Sequence, residues 1–132
     1  MKGSKSHELE ADVPAAELWK IYGTLRFVEL VHELLPQSYK EEFVRIDDGN
    51  RVKEAAVIEG DILNLGFTAY VTRFEIVEKG PGASVIRSTV EYEYDDGRPE
   101  LEAAASTAPL AAAAERLVQY VKDQNTAQQA SA

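Results

Sequence analysis

The segments SYKEEFVRI (38–46), DDGN (47–50) and RVKEAAVI (51–58) decide how the chain is read. Both outer segments alternate apolar and polar residues with a period of two, and a short acidic, glycine-containing bend separates them, so they read as two antiparallel strands of a hairpin. Asp47-Asp48-Gly49 predicts a three-residue loop, a type I turn followed by glycine in the left-handed region. That loop sets Ile46 opposite Asn50, Phe43 opposite Lys53, Glu41 opposite Ala55 and Tyr39 opposite Val57. Glu41 and Lys53 then become diagonal neighbours on one face, which Tyr39 and Phe43 share. A loop of two or four residues would turn Lys53 to the opposite face.

Downstream, Ile62 to Val77 and Ser84 to Tyr94 continue the alternation, with Glu59-Gly60-Asp61 and Lys79-Gly80-Pro81-Gly82 as turns. Four consecutive strands make an antiparallel meander. Upstream, Ser6 to Val13 reads as an opening strand that ends at Pro14, with Asp12 as the expected helix N-cap. Leu18, Ile21, Tyr22, Leu25, Val28, Val31, Leu34 and Leu35 then recur at spacings of three and four. Gly23 interrupts this run and Pro36 closes it, which predicts two short amphipathic helices. After Gly97, Leu101, Ala105, Leu110, Ala113, Leu117, Val118 and Val121 form one face of a single helix to about residue 122, kinked at Pro109, with residues 123–132 frayed. The layout is α+β: a sheet of about five strands that can wrap around the last helix, in one domain, 1–132, with an ordered core of about 5–122.

The 132 residues carry 14 basic and 23 acidic side chains, a formal charge of −9, and no cysteine. Disulfides, thiolate metal sites and cysteine nucleophiles are excluded. The charge disfavours nucleic acid, because no basic face is segregated from the rest. Two histidines, His7 and His32, have no metal-ligand spacing, so no metal is expected. No apolar run is long enough for a signal core or a membrane span, and a cytoplasmic location is the default expectation.

If the face carrying Tyr39, Glu41 and Lys53 points inward, a phenol, a carboxylate and an amine converge in an apolar hollow. Burial would raise the carboxylate's pKa and lower the ammonium's, and their attraction would oppose both shifts, an arrangement suited to general acid and base work. If the face points outward, the pair is an ordinary exposed hairpin contact of little energetic weight. Other residues carry simpler readings: Trp19 as a core anchor, Tyr92 and Tyr94 as packing, Arg73 facing solvent, Glu8 and Glu10 facing solvent, and His32 without a carboxylate partner.

HELE near the N-terminus, the alanine-proline helix start with its tryptophan, SYKEEF, RVKEAAVIEGDILNLGFTAYVTRFEIVE and TAPLAAAAERLVQYV together resemble the plant pathogenesis-related class-10, or Bet v I, superfamily, and within it the norcoclaurine synthase-like branch. The resemblance implies a helix-grip, START-like fold around a hydrophobic cavity. It also implies a cofactor-free Pictet–Spengler condensation of dopamine with an aldehyde of the 4-hydroxyphenylacetaldehyde type. On that basis Lys53 polarises the aldehyde oxygen, Glu41 removes the ring proton, and Tyr39 shapes the site, with Phe43, Ala55, Val57 and Thr72 as ligand-binding neighbours. Thr72 stands where the branch has an aspartate.

The branch also carries two strands and a glycine-rich loop before the strand of the catalytic tyrosine, whereas Leu34-Leu35-Pro36-Gln37 runs straight into Ser38-Tyr39. By ordinary strand and loop lengths, about 30 residues are missing. The strand Ser38 to Ile46 then becomes a sheet edge, which invites homodimerisation. Three functions remain open: a norcoclaurine synthase-like lyase of alkaloid biosynthesis, a non-catalytic defence protein carrying small hydrophobic metabolites or hormones, and a shortened chain that acts as a dimerising partner.

Overall fold

The computed structural model describes the backbone of residues 1–24, 26–34 and 39–131, and the side chains of these residues apart from 31–34, 39, 40 and 128–131. The elements run β1 (Lys2–Ala11), α1 (Ala15–Tyr22), α2 (Arg26–Leu34), β2 (Tyr39–Asp47), β3 (Val52–Gly60), α3 (Asp61–Asn64), β4 (Phe67–Gly80), β5 (Ala83–Tyr94), α4 (Leu101–Ala104) and α5 (Ala108–Ser131). The five strands form one antiparallel sheet in the order β1-β5-β4-β3-β2. The expected meander is therefore present, β1 closes one side, and β2 is the opposite edge.

Several boundaries differ from the sequence reading, each for a local reason. β1 begins at Lys2 because it pairs with β5 continuously from Lys2 opposite Glu93 to Ala11 opposite Ser84. Asp12 does not cap α1. The helix starts behind Pro14, the N-cap residue, which is extended at φ −58° and ψ 139° and whose carbonyl accepts the amides of Glu17 and Leu18 at 3.1 and 3.3 Å. Ile62 to Val77 is not one strand: α3 turns the chain first, and Gly66, at φ 128°, re-aims it into β4.

The single terminal helix expected after Gly97 is two. Ala105 is extended, with ψ 125°, and separates α4 from α5, whose start is held by Ser106 Oγ accepting the Ala108 amide at 3.0 Å. Pro109 thus falls in a first helical turn, where its missing amide costs nothing, and produces no mid-helix kink. Residues expected to fray continue α5 to Ser131, and Asn125 Nδ2 donates to Glu17 Oε2 at 3.0 Å.

Among the described residues, one face of the sheet is covered by helices and the other is not. On the covered, inner face the main cluster joins Leu18, Ile21 and Tyr22 of α1 and Phe27 and Leu30 of α2 to Phe74, Ile76, Ile86 and the α5 residues Leu117, Val118 and Val121. A second cluster of Phe67, Tyr70, Val90, Tyr92, Tyr94, Leu101 and Ala105 fills the other end of that face. The outer face carries the charge as a ladder of alternating sign. It runs from Glu8 to Arg87 (2.8 Å), Glu75 (3.0 Å), Arg73 (3.3 Å), Glu54 (3.7 Å) and Arg45 (3.8 Å), across all five strands.

Candidate active site

The hairpin turn is not the one its sequence predicts. Asp47 pairs with Val52 across a four-residue loop, and the residue with a left-handed backbone is Arg51, at φ 53°, instead of Gly49. Asp47 holds the loop by accepting the Asn50 amide at 3.1 Å and the Asn50 side-chain amide at 2.8 Å. Ile46 consequently lies opposite Lys53, which by itself would turn Glu41 and Phe43 to the outer face. A β-bulge between Phe43 and Arg45 inserts Val44 as an extra residue and reverses the parity. Phe43 then sits opposite Ala55 and Glu41 opposite Val57, on the same face as Lys53.

The expected face is thus reached by two deviations that cancel, with Glu41 and Phe43 each two residues, and Tyr39 and Ile46 each three, away from the expected partner. Glu41 and Lys53 are not diagonal neighbours; Phe43 occupies that position. Tyr39 lies opposite Gly60 instead of Val57, and its side chain falls outside the described residues, as does that of His32.

Lys53 is 0% exposed. Its ammonium lies 4.0 Å from the ring centroid of Phe27, 5.3 Å from that of Phe43 and 5.4 Å from that of Phe74. Three aromatic faces, contributed by α2, β2 and β4, replace its water. Nζ has no hydrogen-bond partner among the described residues. Loss of hydration favours the neutral amine and pushes its pKa down to about 8, with the Glu41 carboxylate pulling the other way. Such an amine exchanges a proton near neutral pH, which an exposed lysine does not.

Around it, Ala55 is fully buried, and Glu41, Phe43 and Val57 are half-buried on the inner face. Thr72, opposite Ala55, is buried and donates its hydroxyl to the Ala55 carbonyl at 3.4 Å. Its oxygen is therefore engaged with main chain and offers no acid or base.

Sequence reading missed three further polar groups on this side of the sheet. His7 of β1 lies opposite Ser88 of β5, Ser88 opposite Phe74, and Phe74 opposite Lys53, so they form one row across the sheet. Tyr22 packs its ring 5.3 Å from that of Phe74. Ser88 Oγ, His7 Nδ1 and the Tyr22 hydroxyl have no hydrogen-bond partner among the described residues, and burial pushes the Tyr22 phenol's pKa up. The signal lay in the alternation of β1, which turns Lys5, His7 and Leu9 to one face.

The remaining candidates have structural roles. Trp19 is half-buried, packs against the main core cluster as expected, and donates Nε1 to Asp48 Oδ1 at 2.9 Å, so it also ties α1 to the hairpin loop. Arg73 belongs to the outer-face ladder. Tyr92 and Tyr94 face inward and share Glu102, whose carboxylate accepts their hydroxyls at 2.5 and 3.1 Å. Glu8 and Glu10 are exposed. Among the described residues no cluster of His, Asp or Glu could hold a metal ion, and no helix is long and apolar enough to cross a membrane.

An open five-stranded antiparallel sheet packed on a long C-terminal helix, with a polar site on the covered face, defines a Bet v 1/START-like protein. The chain belongs to the pathogenesis-related protein Bet v 1 family, whose sequence model matches residues 6–125. It is 41% identical to norbelladine synthase of Narcissus pseudonarcissus over 140 residues, covering 83% of this chain and 86% of that protein. It is 29% identical to S-norcoclaurine synthase of Thalictrum flavum subsp. glaucum, covering 87% and 69% of the two chains. The X-ray structure of norcoclaurine synthase from Thalictrum flavum in complex with dopamine and hydroxybenzaldehyde superimposes with a TM-score of 0.82 at 26% identity, over 93% of this chain and 88% of that one. The alignment with norbelladine synthase spans 140 positions but engages only 83% of these 132 residues, so that relative carries residues with no counterpart here.

Proposed function

We propose that the chain catalyses a cofactor-free, Pictet–Spengler-type condensation of an arylethylamine with an aromatic or arylacetic aldehyde. The observation that carries this reading is the Lys53 ammonium, entirely buried among three phenylalanine rings on the same face as Glu41. A proton donor with a pKa near neutrality, in a site of low dielectric, is suited to protonating a carbonyl oxygen as an amine adds to its carbon.

In the proposed sequence Lys53 donates that proton, the carbinolamine loses water, and an iminium ion forms. The electron-rich ring attacks the iminium carbon, and Glu41 takes the ring proton to restore aromaticity. Tyr39 contributes a hydrogen bond, while Phe43, Ala55 and Val57 wall the substrates. The norcoclaurine synthase complex with dopamine and hydroxybenzaldehyde supports substrates of this chemistry, and the likeness to norbelladine synthase supports a related condensation. We place the reaction in the cytoplasm, since the chain carries no cysteine and needs no oxidising compartment.

The test is a chiral product assay with dopamine and 4-hydroxyphenylacetaldehyde. Product should fall to background in Lys53→Ala and Glu41→Ala; product formed at an unchanged rate in both removes the enzyme reading. A second reading, a carrier of small hydrophobic metabolites in defence, is favoured by Thr72, whose hydroxyl is held by main chain. It predicts that fluorescent apolar probes bind both variants as tightly as the parent chain.

A further inference from the structure

The edge strand β2 has a charge order that matches itself in reverse. Read from 40 to 47 it runs Lys, Glu, Glu, Phe, Val, Arg, Ile, Asp. An antiparallel copy centred between Phe43 and Val44 sets Lys40 against the partner's Asp47 and Glu42 against the partner's Arg45. It also sets Glu41 against the partner's Ile46 and Phe43 against the partner's Val44. Two-fold symmetry makes each of these contacts twice.

In a regular strand this register is forbidden. Residues that face each other would differ in parity, and so would lie on opposite faces of a continuous sheet. The Val44 bulge removes the obstacle, because it changes the parity of the strand at its midpoint. Glu42 and Arg45 then both belong to the outer face, as do positions 40 and 47, while Glu41 and Ile46 both belong to the inner face. Bulges and scattered charges usually protect an edge from pairing. Here the bulge is what makes self-pairing geometrically sound.

Two further observations favour a second copy as the occupant. Val44 and Ile46 are 60% and 44% exposed on a strand whose outer edge pairs with no other described strand, and pairing covers both. The outer-face ladder of alternating sign reaches Arg45, which is half exposed and also paired with Asp47 of its own strand at 3.3 Å, and the partner's Glu42 adds a further acid across the edge.

We propose that two chains associate by antiparallel pairing of their β2 strands over residues 40–47, forming one ten-stranded sheet. The paired strand also carries Glu41 and Phe43, the half-buried residues of the candidate site that stand on the sheet edge. The pairing does not depend on the proposed activity, and its test reads mass, not product.

Sedimentation equilibrium of the full chain should show a dimer, with amides of residues 40–47 gaining protection from hydrogen exchange as concentration rises. Glu42→Arg places like charges opposite one another twice and should weaken association at least about 100-fold, with an unchanged circular dichroism spectrum. Adding Arg45→Glu to it restores opposite charges and should recover most of the affinity. A chain that stays monomeric at about 100 μM overturns the proposal, since no specific pairing would then be tighter than that. A dimer indifferent to Glu42→Arg, or one without concentration-dependent protection in β2, overturns it equally.

Discussion

The ammonium of Lys53 lies 4.0 Å from the centre of the Phe27 ring, with no water-facing surface and no hydrogen-bond partner among the described residues. A charge held in this way opposes folding, because attraction to an aromatic face returns only part of the lost hydration. Lys53→Met, nearly isosteric and apolar, should therefore raise the midpoint of thermal unfolding while abolishing product formation. A variant that melts lower than the parent would show that the amine stabilises the fold.

The sign of the pH dependence follows from the same group. Its pKa is lowered from 10.5 to about 8 on folding, so between those values the unfolded chain binds more protons than the folded one, and stability rises with pH. Urea unfolding of the parent minus Lys53→Met should gain about 3 kcal/mol from pH 7 to pH 11. A flat difference across that window would mean that the amine is hydrated in solution.

Activity should run the other way. If Lys53 donates the proton to the carbonyl oxygen, the rate falls as the pH passes about 8, the value set by its burial. Lys53→Arg, which stays protonated throughout, should be slower at neutral pH but lose that alkaline limb. An alkaline limb unchanged in Lys53→Arg assigns the donor to another group.

Glu41→Gln removes both the proposed base and the charge that supports protonation of Lys53. Product formation should drop by about 10²–10⁴-fold, the usual worth of a general base. The pKa of Lys53, followed by its rate of reductive methylation against pH, should move below about 8. An unchanged lysine titration would place the carboxylate too far away to act on it.

Thr72→Asp puts a carboxylate beside Ala55 on the inner face, at the position where the family resemblance implies an aspartate. The variant loses the hydroxyl's bond to the Ala55 carbonyl and buries an acid, a cost of about 1–3 kcal/mol in unfolding free energy. If the condensation reading holds, the rate per folded molecule should increase; a stable variant with no gain would favour the carrier.

Much of the architecture was legible because it rests on short-range chemistry. Alternation marked the strands, spacings of three and four marked the helices, and glycine or proline marked most ends. The failures occurred where a local rule met competition. DDG announces a glycine-centred turn, yet the Asp47 carboxylate has a better use in capping Asn50, which lengthens the loop and forces Arg51 into the left-handed region. Pro109 looked like a kink because nothing local revealed that Ala105 breaks the helix just before it.

By itself the sequence determined the α+β class, the meander, and the placement of a carboxylate and an amine on one hairpin. These follow from composition, period and strand order, which a linear chain carries openly. Tertiary structure decided which face that hairpin presents. The register depends on loop length and bulge together, a sum of integers whose parity no side-chain pattern reveals. It decided as well that Lys53 is enclosed by Phe27, Phe43 and Phe74, because those rings come from three elements far apart in the chain and meet only when the helices close over the sheet.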